Sequence, residues 1–204
     1  MPTPAMTPSP RETPERVLDV AQRLVQTRGF NGFSYADIAT EIGITTAALH
    51  YHFPTKAELG RVLIERYGAA FATALASIDA SGADDARKLQ SYGQVYVDVM
   101  AAGRMCPCGM LAAEFDSLPE AMQIALRSFF DMNEAWLESV LDHGRQAGDL
   151  TFKGTPSDAA RLFTASLEGA LLLARPYRDS ARLRRAARQA VEALAVRTVK
   201  GRGR

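Results

Sequence analysis

Residues 34–56 read SYADIATEIGITTAALHYHFPTK and hold the chain's densest set of groups able to meet a nucleic acid. Hydroxyls at Ser34, Tyr35, Thr45, Thr46 and Tyr51, imidazoles at His50 and His52, and the ammonium of Lys56 fall within one short stretch. Elsewhere the chemistry is sparse. His143 stands alone, and no nucleophile, base and orienting group share a spacing that would support covalent catalysis. Three histidines and two cysteines leave too little for a protein-built zinc site. Gly201 and Gly203, at the chain's end, do not make a phosphate loop. The sequence therefore predicts no catalytic residues, no metal and no cofactor. Cys106 and Cys108 flank Pro107, a spacing poorly suited to a relaxed mutual disulfide. Two readings stand for them: a thiol that senses oxidants or electrophiles, or a buried inert thiol.

The groups at 34–56 need a frame, and the local spacing supplies one. Ser34-Tyr35-Ala36-Asp37 is a capping-box pattern that opens a short helix running to Ile42, with Gly43 as its stop. A second short helix runs from Thr45 to about Phe53, where Pro54 ends it. Ile38, Ile42, Ile44 and Leu49 form an apolar nucleus, and Ala39 is small where the two helices would cross. Two short helices joined by a tight glycine turn predict a helix-turn-helix, whose second helix enters the major groove. Before it, Thr13-Pro14-Glu15 starts a helix that carries Val17, Leu18, Ala21, Leu24 and Val25 and stops at Gly29. After it, Thr55-Lys56-Ala57-Glu58 caps a long helix.

The wider stretch resembles the TetR/AcrR family of bacterial transcription regulators. The resemblance rests on Ile38-Ala39, Gly43-Ile44-Thr45, Leu49, His52-Phe53, Pro54-Thr55-Lys56 and Leu59, and it is strong over about residues 13–60. His50 departs from it, because the family usually carries tyrosine there. The resemblance implies that Thr45, Thr46, Ala47 and His50 face base edges or the nearest phosphates. It implies that Tyr51 and His52 reach the DNA backbone and that Lys56 neutralises a phosphate. Ser34 and Tyr35 would offer hydroxyls and backbone N–H groups to another phosphate. From Arg11 to Lys56 there are five basic and five acidic residues, so the module has no strong positive field. Its recognition helix lacks Arg, Asn and Gln, the side chains that read guanine and adenine bidentately. Discrimination is expected to lean on thymine methyls and DNA shape.

The rest of the chain reads as helix throughout, with no useful stretch of period-two alternation. Expected helices cover about 84–103, a partly irregular 104–116, 119–146 after Ser117-Leu118-Pro119, a stretch after Thr155 broken by Pro176, and about 179–199. The predicted class is all-α with about nine helices. Its divisions are a tail at 1–12, a DNA-binding domain at 13–56, a ligand-binding and dimerisation domain at 57–199, and a basic tail at 200–204. Leu162, Phe163, Ser166, Leu167, Ala170 and Leu171, then Leu183, Ala187, Ala190, Val191 and Leu194, make two stripes rich in small residues. They either pack internally or form a four-helix interface between two copies, as the resemblance implies. Tyr92, Tyr96, Met100, Met110, Phe129, Met132, Trp136 and Phe163 are large, soft residues expected to converge, as core or as an effector pocket.

Composition narrows the class further. The 204 residues are 47% hydrophobic and 23% charged, which is globular, and no apolar run is long enough to span a membrane. Five prolines in the first 14 residues and the lack of an apolar core there argue against a secretory signal. Sparse cysteine fits a reducing cytoplasm. The net charge of +1 conceals a local +8 from Arg175 to Arg204. Together these readings predict a cytoplasmic homodimer that binds a double-stranded DNA operator and a small-molecule effector. A helical carrier or enzyme without DNA function, and a DNA-binding protein without effector, are the alternatives.

Overall fold

The computed structural model describes residues 12–195. Among them are nine α-helices: α1 (Glu12–Arg28), α2 (Tyr35–Ile42), α3 (Thr46–His52), α4 (Lys56–Ala80), α5 (Asp85–Ala101), α6 (Pro107–Ala112), α7 (Glu120–Ala147), α8 (Pro156–Ala174) and α9 (Ser180–Glu192). Short 3₁₀ turns follow α6 at Phe115–Ser117 and α8 at Arg175–Tyr177. The described residues form no strand, only an isolated bridge between Leu150 and Ala195. None of their helices is long and apolar enough to cross a membrane. The expected tails at 1–12 and 200–204 lie outside the described residues, apart from Glu12 in the first turn of α1.

Most boundaries follow from the caps. Ser34 closes the predicted capping box on α2, Asp84 accepts from the Arg87 amide before α5, and Thr155 from the Asp158 amide before α8. The last helix is shorter than its pattern. It ends at Glu192, and the Leu194 carbonyl turns away to accept from the Thr151 amide at 2.7 Å; the expected stretch from 196 to 199 lies outside the described residues.

The chain divides into two compact units, one of residues 1–67 with 107–126, the other of 68–106 with 127–204. The expected boundary after residue 56 falls inside the first unit. The first unit reaches beyond the helix-turn-helix because later residues complete its packing. A Cβ on Gly60 would lie 2.5 Å from the Met122 sulfur, and Met122 is fully buried. Gly29, at φ +83° where other residues are strained, has Glu114 against the place of its missing Cβ. In the second unit α9 lies against α5, where the Gly93 Cβ position is 3.3 Å from the Ala187 methyl.

Candidate nucleic-acid interface

The first unit builds its exposed face on a fixed apolar nucleus. Ile38, Ala39, Ile42, Leu49 and Phe53 are buried, while Ile44 is only half-buried. Gly43 adopts φ +73° and lets the chain reverse between α2 and α3, with the Ile44 amide donating to the Ala39 carbonyl at 3.0 Å. The Thr45 hydroxyl oxygen then accepts from the Ala48 amide at 3.1 Å and starts α3. The Tyr35 hydroxyl donates to the Phe53 carbonyl at 2.9 Å, joining the start of α2 to the end of α3. Burial, with the charge of Glu58, pushes the Tyr35 pKa up to about 12, so this donor stays protonated.

That geometry corrects three expected phosphate contacts. Tyr35 is buried and its hydroxyl is spent inside the unit. The Ser34 amide and hydroxyl both donate to the Asp37 carboxylate, at 2.7 and 2.6 Å. These hydrogen bonds hold the Asp37 carboxyl below its usual range, and a negative charge there disfavours a phosphate. Lys56 donates to the Phe30 carbonyl at 2.5 Å and to the Phe33 carbonyl, with its ammonium over both rings at 4.5 and 4.2 Å. Its pKa is lowered by desolvation, which Glu114 and Asp37 partly offset. Lys56 is therefore a clip on the segment after α1, not a charge offered outward.

What remains outside is narrow. Thr45, Thr46, Ala47 and His50 are exposed, and Tyr51 is 84% exposed. His52 is half-buried, with its ring edge-on to Tyr51 at 5.2 Å. His50 lies with Nδ1 3.1 Å from the Pro54 carbonyl and its ring 4.7 Å from Tyr35. The nearby cations are engaged: Arg16 donates to the Ile42 carbonyl at 3.2 Å, Arg23 pairs with Glu41, and Arg28 lies 3.8 Å from Asp37. The balanced charge of the sequence is thus matched locally.

Sequence reasoning missed Glu114. Its carboxylate accepts from the amides of Phe30 and Asn31 at 2.8 and 3.3 Å, and the Asn31 side chain donates to the Ser117 hydroxyl at 2.9 Å. A residue 84 positions later thereby fixes the turn between α1 and α2. No local pattern announces such a contact.

In the second unit the expected aromatic convergence is present. The Tyr92 ring lies 5.6 Å from Tyr96, 6.1 Å from Phe163 and 5.7 Å from Trp136, nearly parallel to it. Phe71 bridges Tyr92 to Phe129 at 5.8 and 5.6 Å. Met100 and Met132 are half-buried in this unit, whereas Met110 belongs to the first. The sequence reading missed the polar residues in this core: Asn133 and Thr164 are buried among the aromatics, and Glu168 follows one turn after Thr164. Cys106 and Cys108 are both buried and in no disulfide.

The proposed dimer stripes separate into two sets. Phe163, Leu167, Leu171, Leu183, Ala187 and Val191 are buried within the protomer, which corrects their assignment to an interface. Leu162 and Ser166 are exposed, Ala170, Ala190 and Leu194 are half-buried, and Leu194 lies past the end of α9. The outward stripe of α8 is Leu162, Ser166, Gly169 and Leu173, with Leu162 69% and Leu173 65% exposed.

Comparison with known proteins agrees with this architecture. Residues 17–61 match the family described as bacterial regulatory proteins, tetR family, and residues 86–190 match the tetracyclin repressor-like C-terminal domain. The HTH-type transcriptional repressor NemR of Escherichia coli K12 is 28% identical over 172 residues, which are 82% of this chain and 86% of that protein. A TetR-family transcriptional regulator from Agrobacterium tumefaciens is 31% identical, with a TM-score of 0.89 over 92% of this chain and all of the other. The reduced form of E. coli NemR superposes with a TM-score of 0.79 at 26% identity, over 92% of this chain and all of the other. The chain belongs to the TetR family and is a DNA-binding transcription regulator of that kind.

Proposed function

We propose that the protein is a dimeric repressor that binds a pseudo-palindromic operator and leaves it when a small molecule occupies the second unit. The observation that carries the reading is the exposed face of α3. Thr45, Thr46, Ala47, His50 and Tyr51 stand outward from a helix whose two ends are tied down, by the Thr45 cap and by the Tyr35–Phe53 bond. A rigid, short helix with small side chains on its outer face suits close approach to base edges, with Thr and Ala methyls available to thymine. Tyr51 is the phosphate anchor. Few phosphate contacts per subunit make a second copy necessary, and recognition helices about 34 Å apart read two half-sites.

The α8 stripe is the surface for that second copy. Exposed leucines at both ends, with Ser166 and Gly169 between them, let two helices approach closely, and a Cβ on Gly169 would meet nothing. Leu172, also exposed on α8, adds to its apolar surface.

Release needs an effector that prefers the conformation unable to bind DNA, since equal affinity for both shifts nothing. The chain passes between its units at 67/68, 106/107 and 126/127. The second of these leads into the segment bearing Glu114, which holds the turn after α1 through Phe30 and Asn31. A ligand that displaces residue 106 acts on the DNA-reading head along that covalent route.

Light scattering on the eluting protein, paired with gel shifts on the DNA upstream of its own gene, tests this reading. Wild type should elute as a dimer and retard that DNA. Leu162→Glu combined with Leu173→Glu should give a folded monomer that does not. A wild-type monomer that still retards the fragment contradicts the dimeric reading.

A further inference from the structure

Thr164 and Glu168 lie one turn apart on α8, and Tyr92 and Tyr96 one turn apart on α5. The Tyr92 hydroxyl donates to the Asn133 side-chain carbonyl at 3.2 Å and stands 3.3 Å from the Tyr96 hydroxyl. The Asn133 amide donates onward to the Phe129 carbonyl at 2.8 Å. On α7 and α5 this polar chain is closed. On α8 it is open: Thr164 is 5% exposed and its Oγ1 has no partner at hydrogen-bond distance, although the Tyr92 hydroxyl lies close enough to act on it, and the buried Oε1 of Glu168 has none either. A fold does not ordinarily leave two buried polar atoms unpaired within one helical turn.

The surroundings restrict what could satisfy them. Burial pushes the Glu168 pKa up, hydrogen bonds from Cys106 and Tyr96 offset this only in part, and no basic side chain pairs with it among the described residues. Tyr92 and Tyr96 are buried beside it, with Phe163 and Trp136 ringing Tyr92. A carboxyl without a counter-ion, among electron-rich ring faces, favours a cation and repels an anion. A wholly apolar occupant would leave both oxygens unpaired. The unit's other candidate is a cleft of about 210 Å³ lined by Asp79, Asp85, Lys88, Trp136, Ser139, Val140 and His143. It is already satisfied: His143 Nδ1 meets Asp85 at 2.6 Å, Lys88 meets Asp79 at 3.1 Å, and the Trp136 indole donates to Asp79 at 2.8 Å.

We propose that Glu168 and Thr164 form the recognition point for an organic ammonium ligand, an amine on an aromatic or aliphatic body. Its N–H groups donate to Glu168 Oε1 and Thr164 Oγ1, and its body packs among Tyr92, Tyr96 and Phe163. This rests on the reading that the second unit takes the effector, and it names that effector's class.

Calorimetric titration of the full chain with amines from benzylamine to 4-phenylbutylamine, each beside its alcohol and carboxylate counterpart, tests the assignment. At least one amine should bind about tenfold tighter than its alcohol, and the carboxylates should not bind. Glu168→Gln should lower amine affinity about tenfold and leave alcohol affinity unchanged. Thr164→Val should lower amine affinity several-fold, and circular dichroism should show both variants folded. Equal amine affinity in wild type and Glu168→Gln, preference for the carboxylate, or no amine binding overturns the proposal. Gel shifts with the same samples separate the two readings. An amine that binds through Glu168 yet never releases DNA leaves the site standing and sinks effector release. DNA retardation by a wild type that ignores every amine sinks the ammonium assignment alone.

Discussion

The polar groups that frame α3 and those beside Tyr92 are satisfied in opposite ways. Around the helix-turn-helix, the Tyr35 hydroxyl, the Lys56 ammonium, the Ser34 donors and the Glu114 carboxylate each close on a partner within the unit. In the helical unit, Thr164 and Glu168 keep a buried oxygen without one. The two tasks proposed for these regions account for the difference. A surface that reads grooves needs its helix held within a fraction of an ångström, which satisfied hydrogen bonds provide. A site that responds to a ligand gains selectivity from groups that only the ligand completes.

Breaking the frame of the head should have the largest effect. Leu49→Ala empties a fully buried position between α2 and α3 and should cost about 2–5 kcal/mol. Hydrogen exchange should then show loss of protection in α2 and α3 before α5 and α8. Uniform loss across both units would mean that the head has no frame of its own. Tyr35→Phe should cost about 1–3 kcal/mol, because the Phe53 carbonyl loses a buried donor. Thermal melts and gel shifts on this variant should weaken together, whereas a phosphate contact by Tyr35 would weaken DNA binding alone.

Tyr51→Ala sharpens the contrast from the exposed side. It should reduce operator affinity about tenfold while stability stays within about 0.5 kcal/mol. Unchanged affinity would remove Tyr51 from the interface.

The smallest effect tests the open pair in the helical unit. A carboxyl whose pKa is higher folded than unfolded binds its proton more tightly in the native state. Its contribution to stability is therefore present at acid pH and lost as pH rises through the raised value. Glu168→Gln should melt a few degrees above wild type at pH 8 and converge with it near pH 4. Of the groups facing Glu168, Tyr92 and Tyr96 on α5 are held protonated by burial throughout that range, and Cys106 is the remaining titratable neighbour. A wild type more stable than the variant at pH 8 would show that Glu168 is ionised and paired.

Legibility in the sequence divided along the same line. The helices of the head were readable because Ser34, Gly43, Thr45 and Pro54 act locally, through caps and forced dihedrals. The aromatic convergence on Tyr92 was readable because helical periodicity decides which residues face inward. The roles of Tyr35, Lys56 and Glu114 were not. Each depends on a partner at the end of another helix or far along the chain, and residue type alone left Tyr35 and Lys56 looking like phosphate ligands. The exposed stripe of α8 was half legible for a related reason. Period 3.6 identifies an apolar face but cannot say whether the same protomer covers it, and Leu167 is buried in the protomer while Leu162 is exposed.

The central claim is that the outer face of α3 reads DNA by thymine methyls and groove shape from a dimer. Selection of bound fragments from a genomic library, at low ionic strength and with effector-free protein, tests it most directly. The account predicts enriched pseudo-palindromes whose half-sites lie about one helical turn apart and whose central positions are thymine-rich. Enrichment dominated by guanine at those positions, or no enrichment at all, would contradict it.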